Sequence, residues 1–240
     1  MDRMTDATPR LKARIAGVFY LLTIVGGMFA EGFVRSTLIV SGDATATAAN
    51  ILASEPLYRV GVACDLVGLV CYTVVTLLFY ELFAPVSRGL SRLAALFSLV
   101  GIAVLALATL GLLAPLTWLG GAPYLAAFDP DQRRALAYAS LKAHGEGYEI
   151  SLVFFGVYCL LIGYLVFKST FLPRLLGILM AIAGLCYLVN NFAAILSPAL
   201  ARALPDYILL PGLVGEGALS LWLMLVGLDA AKWSRRAGAA

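Results

Sequence analysis

Six apolar runs dominate this sequence, at residues 13–34, 57–83, 93–116, 149–167, 172–196 and 207–228. A helix rises 1.5 Å per residue, so roughly 20 apolar residues cross the hydrocarbon of a bilayer, and each run is near that length. With no water to bond to in lipid, the backbone must satisfy itself, and helix is the expected form. Composition excludes a soluble alternative. The chain is 62% hydrophobic and 13% charged, with mean hydropathy +0.93, against about 45–50% and about 25% in soluble domains. The sequence therefore predicts an all-α, polytopic membrane bundle of six transmembrane helices. A single membrane domain is expected over 13–228, between cytoplasmic tails at 1–12 and 229–240.

The net charge of +3 gathers at the ends of spans, so it speaks to topology and no nucleic-acid partner is expected; the lipid bilayer is. Arg10, Lys12 and Arg14 precede an apolar run that continues to Val34. That run exceeds the roughly 7–15 apolar residues of a signal peptide, so it reads as a retained first span. One side of the layout collects Arg3, Arg10, Lys12, Arg14, Arg88, Arg92, Lys168, Arg174, Lys232, Arg235 and Arg236. The other holds only Arg35, Arg59, Arg133, Arg134, Lys142 and Arg202. The richer side is expected to be cytoplasmic, with both termini inside and short extracytoplasmic helices opposite. Asp43 reads as the cap of one such helix. Asp129, Pro130 and Gln132 form a capping box for another over 130–144, lying along the interface before the chain turns inward near Gly145 and Gly147.

The three outward spans begin alike, at Arg14-Ile15-Ala16-Gly17, Arg92-Leu93-Ala94-Ala95 and Arg174-Leu175-Leu176-Gly177. Seventeen residues after each Arg stands a polar side chain: Glu31, Thr109 and Asn191. Each returning span carries a carboxylate: Asp65, Glu149 and Glu216. This pattern suggests three helical hairpins of common design, although the positive-inside bias alone places an Arg at each start.

An acid inside a span costs roughly 2.5–3.5 kcal/mol on insertion scales, so it is expected to face a cavity or a partner. Asp65 and Glu216 should approach the midplane among small residues: Gly61 and Gly68 about Asp65, Gly212 and Ser220 about Glu216. His144, Glu146 and Glu149 gather at the entry to span four. Asn190 and Asn191 lie toward the outer end of span five, Glu31 and Arg35 at that of span one, and Arg59 one turn into span two. Brought together, these side chains line an outward-facing pocket with an acidic floor, suited to a proton, a metal cation, or a basic or polar solute. Equally open is a structural network in which Arg35 or Arg59 pairs with Glu31 or Glu149.

Recognisable catalytic motifs are missing: the sequence has no GxSxG, P-loop, dinucleotide fingerprint or HExxH. One histidine cannot build a multi-His metal centre, and no cofactor is expected. A metal on His144, Glu146 and Glu149 remains conceivable. Cys64, Cys71, Cys159 and Cys186 all fall in apolar runs and read as packing residues. Gly156, Gly163, Gly177 and Gly184 read as helix-contact surfaces, and the intramembrane tyrosines as packing residues needing hydroxyl partners.

Four blocks carry a family resemblance: Arg14-Ile15-Ala16-Gly17-Val18-Phe19-Tyr20-Leu21-Leu22, Ile150-Ser151-Leu152-Val153-Phe154-Phe155-Gly156, Phe171-Leu172-Pro173-Arg174-Leu175-Leu176-Gly177 and Pro211-Gly212-Leu213-Val214-Gly215-Glu216. On these the chain resembles the bacterial domain-of-unknown-function 4386 family of multi-spanning membrane proteins. The resemblance implies a multi-pass protein of the bacterial inner membrane and carries no catalytic residues. Three functional expectations stand beside it. The first is a small binding or transport protein for a solute, cation or proton. The second is a non-catalytic subunit or sensor acting through an unknown partner protein, and the third an intramembrane enzyme with Glu149 or Glu146 as base beside His144.

Overall fold

Pro and short capping side chains set where the helices begin. In the computed structural model, which describes residues 8–205 and 207–238, Thr8 caps the first helix at the amide of Leu11. That helix, α1, runs Pro9–Leu38 and includes a π-helical stretch, Met28–Arg35. Asp43 caps α2 (Ala44–Ala53) through the Ala46 amide at 2.8 Å. Pro56 opens α3, Glu55–Phe83, and Ser87 caps α4, Arg88–Trp118. Asp129 and Gln132 complete their reciprocal capping box at the start of α5, Pro130–Lys168. Pro173 precedes α6, Arg174–Leu196, and α7 is the short Pro198–Ala203. Finally α8, Leu210–Leu225, bends by 98° into α9, Ala230–Ala237. Among the described residues five helices are long and apolar enough to cross a membrane, or six where α8 with α9 is counted as one bent span. Their outer faces are apolar, with Leu22, Val67, Leu107 and Leu185 exposed to what must be lipid. This is a multi-pass membrane protein.

Each spanning helix packs on the next, and α8 closes against α1, so α1, α3, α4, α5, α6 and α8 form a ring. A ring of six leaves an axial hole, and large aromatic side chains fill it in tilted and edge-to-face contacts. Tyr72 meets Tyr20 at 5.4 Å, Phe155 at 5.0 Å and Tyr158 at 5.9 Å between ring centroids. The described chain ends and the two short links share one face. There Lys12 pairs with Glu81 at 2.7 Å, Trp233 Nε1 donates to the Leu82 carbonyl at 2.8 Å, and the Asp229 amide to Phe171 at 3.1 Å. On the opposite face, α2 packs on α5, and the Gly42 amide donates to the Tyr138 hydroxyl.

Three expectations need correction. No interfacial helix followed by a turn at Gly145 and Gly147 exists; α5 is one continuous helix of 39 residues. Glycine lowers helix propensity without breaking a helix that tertiary contacts hold. Gly147 meets Ala108, where an added Cβ would stand 2.5 Å from the Ala108 Cβ. The first span runs past 13–34 at both ends, and the last is shorter than 207–228, since Gly227 at φ +79° ends α8.

The α5–α6 contact is built from glycines. A Cβ on Gly163 would lie 2.7 Å from the Gly177 carbonyl oxygen, and one on Gly177 would lie 2.5 Å from that of Gly163. Gly156 and Gly184 repeat the arrangement two turns away. Small faces of this kind let backbones approach closely in lipid. Gly177→Val is expected to destabilise the bundle by about 1–3 kcal/mol through overpacking. Thermal unfolding in detergent checks this, with Ile178→Val on the exposed face as the unaffected control.

Candidate functional site

Glu216 of α8 stands where four helices meet. Its Oε2 accepts a hydrogen bond from the Tyr20 hydroxyl of α1 at 2.7 Å, and its Oε1 one from Tyr187 of α6 at 2.6 Å. The Cys159 thiol of α5 faces Oε1 at 4.0 Å. Glycine makes both tyrosine contacts possible. A Cβ on Gly17 would run into the α8 backbone, within 2.7 Å of the Ser220 carbonyl, so α1 approaches closely and Tyr20, one turn on, reaches Glu216. A Cβ on Gly212 would occupy the Tyr187 ring, 2.5 Å from Cζ. Thus the glycine one turn before Glu216 leaves the space through which Tyr187 arrives. Among the described residues no Lys, Arg or His forms an ion pair with Glu216. Protein encloses the side chain, which nevertheless keeps partial accessibility.

A second polar group lies nearer the face opposite the chain ends. Buried Arg35 donates through Nε to Glu31 Oε2 at 2.5 Å. Its terminal nitrogens reach Asp65 of α3, at 2.5 Å to Oδ2 and 3.2 Å to Oδ1. This two-pronged geometry suits a guanidinium facing a carboxylate. Arg35 ends the π-helical stretch, a local irregularity that recurs at functional sites. Val34 packs into the space left by Gly61, where an added Cβ would stand 2.9 Å from it, bringing α1 onto α3 beside the pair. One cation thus faces two acids. The Asp65 side chain is 17% exposed and that of Glu31 is 73% exposed.

Tyr148 of α5 connects the two groups. It lies within electrostatic reach of Glu216, Glu31, Arg35 and Asp65. It is 43% exposed. His144, one turn outward, is buried, and its Nδ1 lies 3.0 Å from the Ala108 carbonyl. A carbonyl can only accept, so Nδ1 carries the proton in this contact. The same imidazole lies within electrostatic reach of Arg35, Asp65 and Glu31.

The remaining candidates take other places. Arg59 pairs with Glu55 at 2.7 Å, and both side chains are largely exposed; it joins neither group. Glu146 is exposed and Glu149 half-buried, and among the described residues neither forms an ion pair with His144, Arg35 or Arg59. No cluster of three metal-ligating side chains occurs among the described residues, so His144, Glu146 and Glu149 do not form a metal site. Asn190 is half-buried. Asn191 is fully buried and donates to the Tyr187 carbonyl at 2.6 Å, leaving its Oδ1 without a partner. The Tyr158 hydroxyl, in the aromatic centre near Glu216, is likewise buried and unpartnered. Asp65 and Glu216 therefore do not meet directly. Of the tyrosines near the two groups, Tyr187 read from sequence as a packing residue, and Tyr20 and Tyr148 were not singled out. The available signal was a glycine, Gly17 or Gly212, one turn before a polar partner.

A family model described as Domain of unknown function (DUF4386) matches residues 15–227. No curated protein and no solved structure matches the chain.

Removing one partner of a buried ion pair strands the other, at a cost of about 3–5 kcal/mol. Asp65→Ala is therefore expected to destabilise the protein strongly, and the double variant Asp65→Ala with Arg35→Met to recover a large part of that loss. A double-mutant cycle of unfolding free energies in detergent measures the coupling, and an additive pair would contradict it.

Proposed function

The chain belongs to the DUF4386 family over residues 15–227, and we propose that it binds and carries a proton, a cation or a small polar solute through an acidic path between helices. The observation that carries this reading is Glu216, a carboxylate among four helices held by two tyrosine hydroxyls, with Tyr148 in electrostatic reach of both it and the Arg35–Asp65 pair. Exposed Glu31 is the first acid that an arriving cation meets. Asp65, held by Arg35, comes next, and any cation engaging Asp65 competes with that guanidinium. Glu216 lies deepest, with donors from two tyrosines and no cationic partner, so a positive charge arriving there is attracted without displacing a fixed one.

In the membrane, we place the face bearing Arg10, Lys12, Arg14, Arg88, Arg92, Lys168, Arg174, Lys232, Arg235 and Arg236 toward the cytoplasm of a bacterial inner membrane. The excess of basic residues supports this orientation. Glu31, Asp65 and Tyr148 then lie toward the outer side. Arg3 belongs to the same reading and lies outside the described residues.

The test uses the full chain in proteoliposomes carrying a pH-sensitive dye, with imposed proton, sodium and potassium gradients in turn. The wild type is expected to dissipate at least one gradient faster than empty vesicles. Glu216→Gln should return the rate to that of empty vesicles while inserting normally, and Arg59→Gln should leave it unchanged. No difference from empty vesicles under any of the three gradients, together with no retention of small organic cations or polar solutes by the purified protein, would overturn the reading.

A further inference from the structure

A cavity of about 450 Å³ lies at the basic face, with none of Glu31, Asp65 and Glu216 in its lining. Its walls come from the start of α1, the link before α6 and the turn joining α8 to α9: Arg10, Phe171, Pro173, Trp222, Gly227 and Asp229 among them. The floor is apolar and the rim charged. Arg10 forms no hydrogen bond or ion pair among the described residues, while its aliphatic stem packs over Gly227, whose φ of +79° shapes the turn. Arg14, one turn deeper, donates to the Leu225 carbonyl at 3.4 Å. Asp229 is the acid of the rim, and it is already engaged, capping α9 at the Lys232 amide and pairing with the Lys232 ammonium at 3.3 Å.

The 98° bend turns α9 across the end of the bundle, and the bond from Trp233 to Leu82 holds it there. Lys232, Arg235 and Arg236 therefore belong to the basic face at which the cavity lies, the face we place at the depth of the lipid headgroups. An unengaged guanidinium at that depth, above apolar walls that include the Trp222 ring, matches a ligand with a negative head and a hydrocarbon stem. We propose that this cavity is a binding site for an anionic phospholipid, its phosphate on Arg10 with Arg14 adding to the local field, and its acyl chain along Trp222 and Val226. Basic pockets between spanning helices recognise such headgroups, and the apolar floor distinguishes this site from one for free phosphate.

Native mass spectrometry of the full chain, released from detergent with equal amounts of phosphatidylglycerol and phosphatidylcholine of matched acyl chains, tests the assignment. Phosphatidylglycerol should be retained preferentially. Arg10→Ala should reduce that preference about five-fold, the effect of one basic group near a membrane surface, and Arg10→Lys should keep most of it. Trp222→Ala should weaken retention of both lipids alike. Equal retention of the two lipids by the wild type, or an Arg10→Ala variant with undiminished preference, would overturn the proposal. Loss of bound phosphatidylglycerol on adding millimolar inorganic phosphate would instead assign the site to free phosphate. None of these outcomes depends on transport.

Discussion

A carboxylate inside hydrocarbon must draw its hydrogen-bond donors from the protein, and the arrangement around Glu216 meets that requirement with two tyrosines from two other helices. An unsatisfied buried acid costs several kcal/mol, while a bond to a charged acceptor contributes about 1.5–3 kcal/mol. Tyr20 and Tyr187 therefore do more than fill space. They fasten α1 and α6 to α8, the helix that closes the ring. The ring in turn needs its aromatic centre, since Tyr20 packs on both Tyr72 and Phe79.

Backbone proximity underlies both polar groups. Gly17 and Gly212 admit the tyrosines to Glu216, and Gly61 admits Val34 where Arg35 reaches Asp65. In lipid there is little hydrophobic force between helices, so close packing and interhelical polar contacts carry the association. The two polar groups differ in kind. Arg35 is charge-paired on both sides by Asp65 and Glu31, whereas among the described residues Glu216 has tyrosine donors and no ion pair. The polar residue seventeen positions after each outward Arg also falls at a local departure from regular helix or pairing. Glu31 lies in the π-helical stretch, Thr109 at the break within α4, and Asn191 carries a buried unpaired carbonyl.

Much of the architecture was legible in the sequence because one physical term dominates it. Apolar length located the spanning helices, and Asp43, Asp129 and Gln132 marked helix starts by local hydrogen bonding that needs no tertiary context. Gly156, Gly163, Gly177 and Gly184 were readable as contact surfaces. Other features depend on partners distant in sequence. Gly145 and Gly147 suggested a turn, yet α5 continues through both, with Gly147 packed against Ala108. No local pattern announces a π-helical stretch, which is stabilised where Arg35 finds Asp65 thirty residues on. The acids were found from the cost of burying them, but their donors were not. A tyrosine hydroxyl contributes little to hydropathy, and its partner is chosen only when helices pack.

The central claim is that water reaches the interior between the two acidic groups. A cysteine placed at Tyr148, in a chain whose four native cysteines are replaced by serine or alanine, reports on it directly. Sealed vesicles of known protein orientation are treated with a membrane-impermeant maleimide. The account predicts rapid modification from the side opposite the basic termini and none from the basic side. An unreactive cysteine at 148 that becomes modified only after unfolding would contradict it.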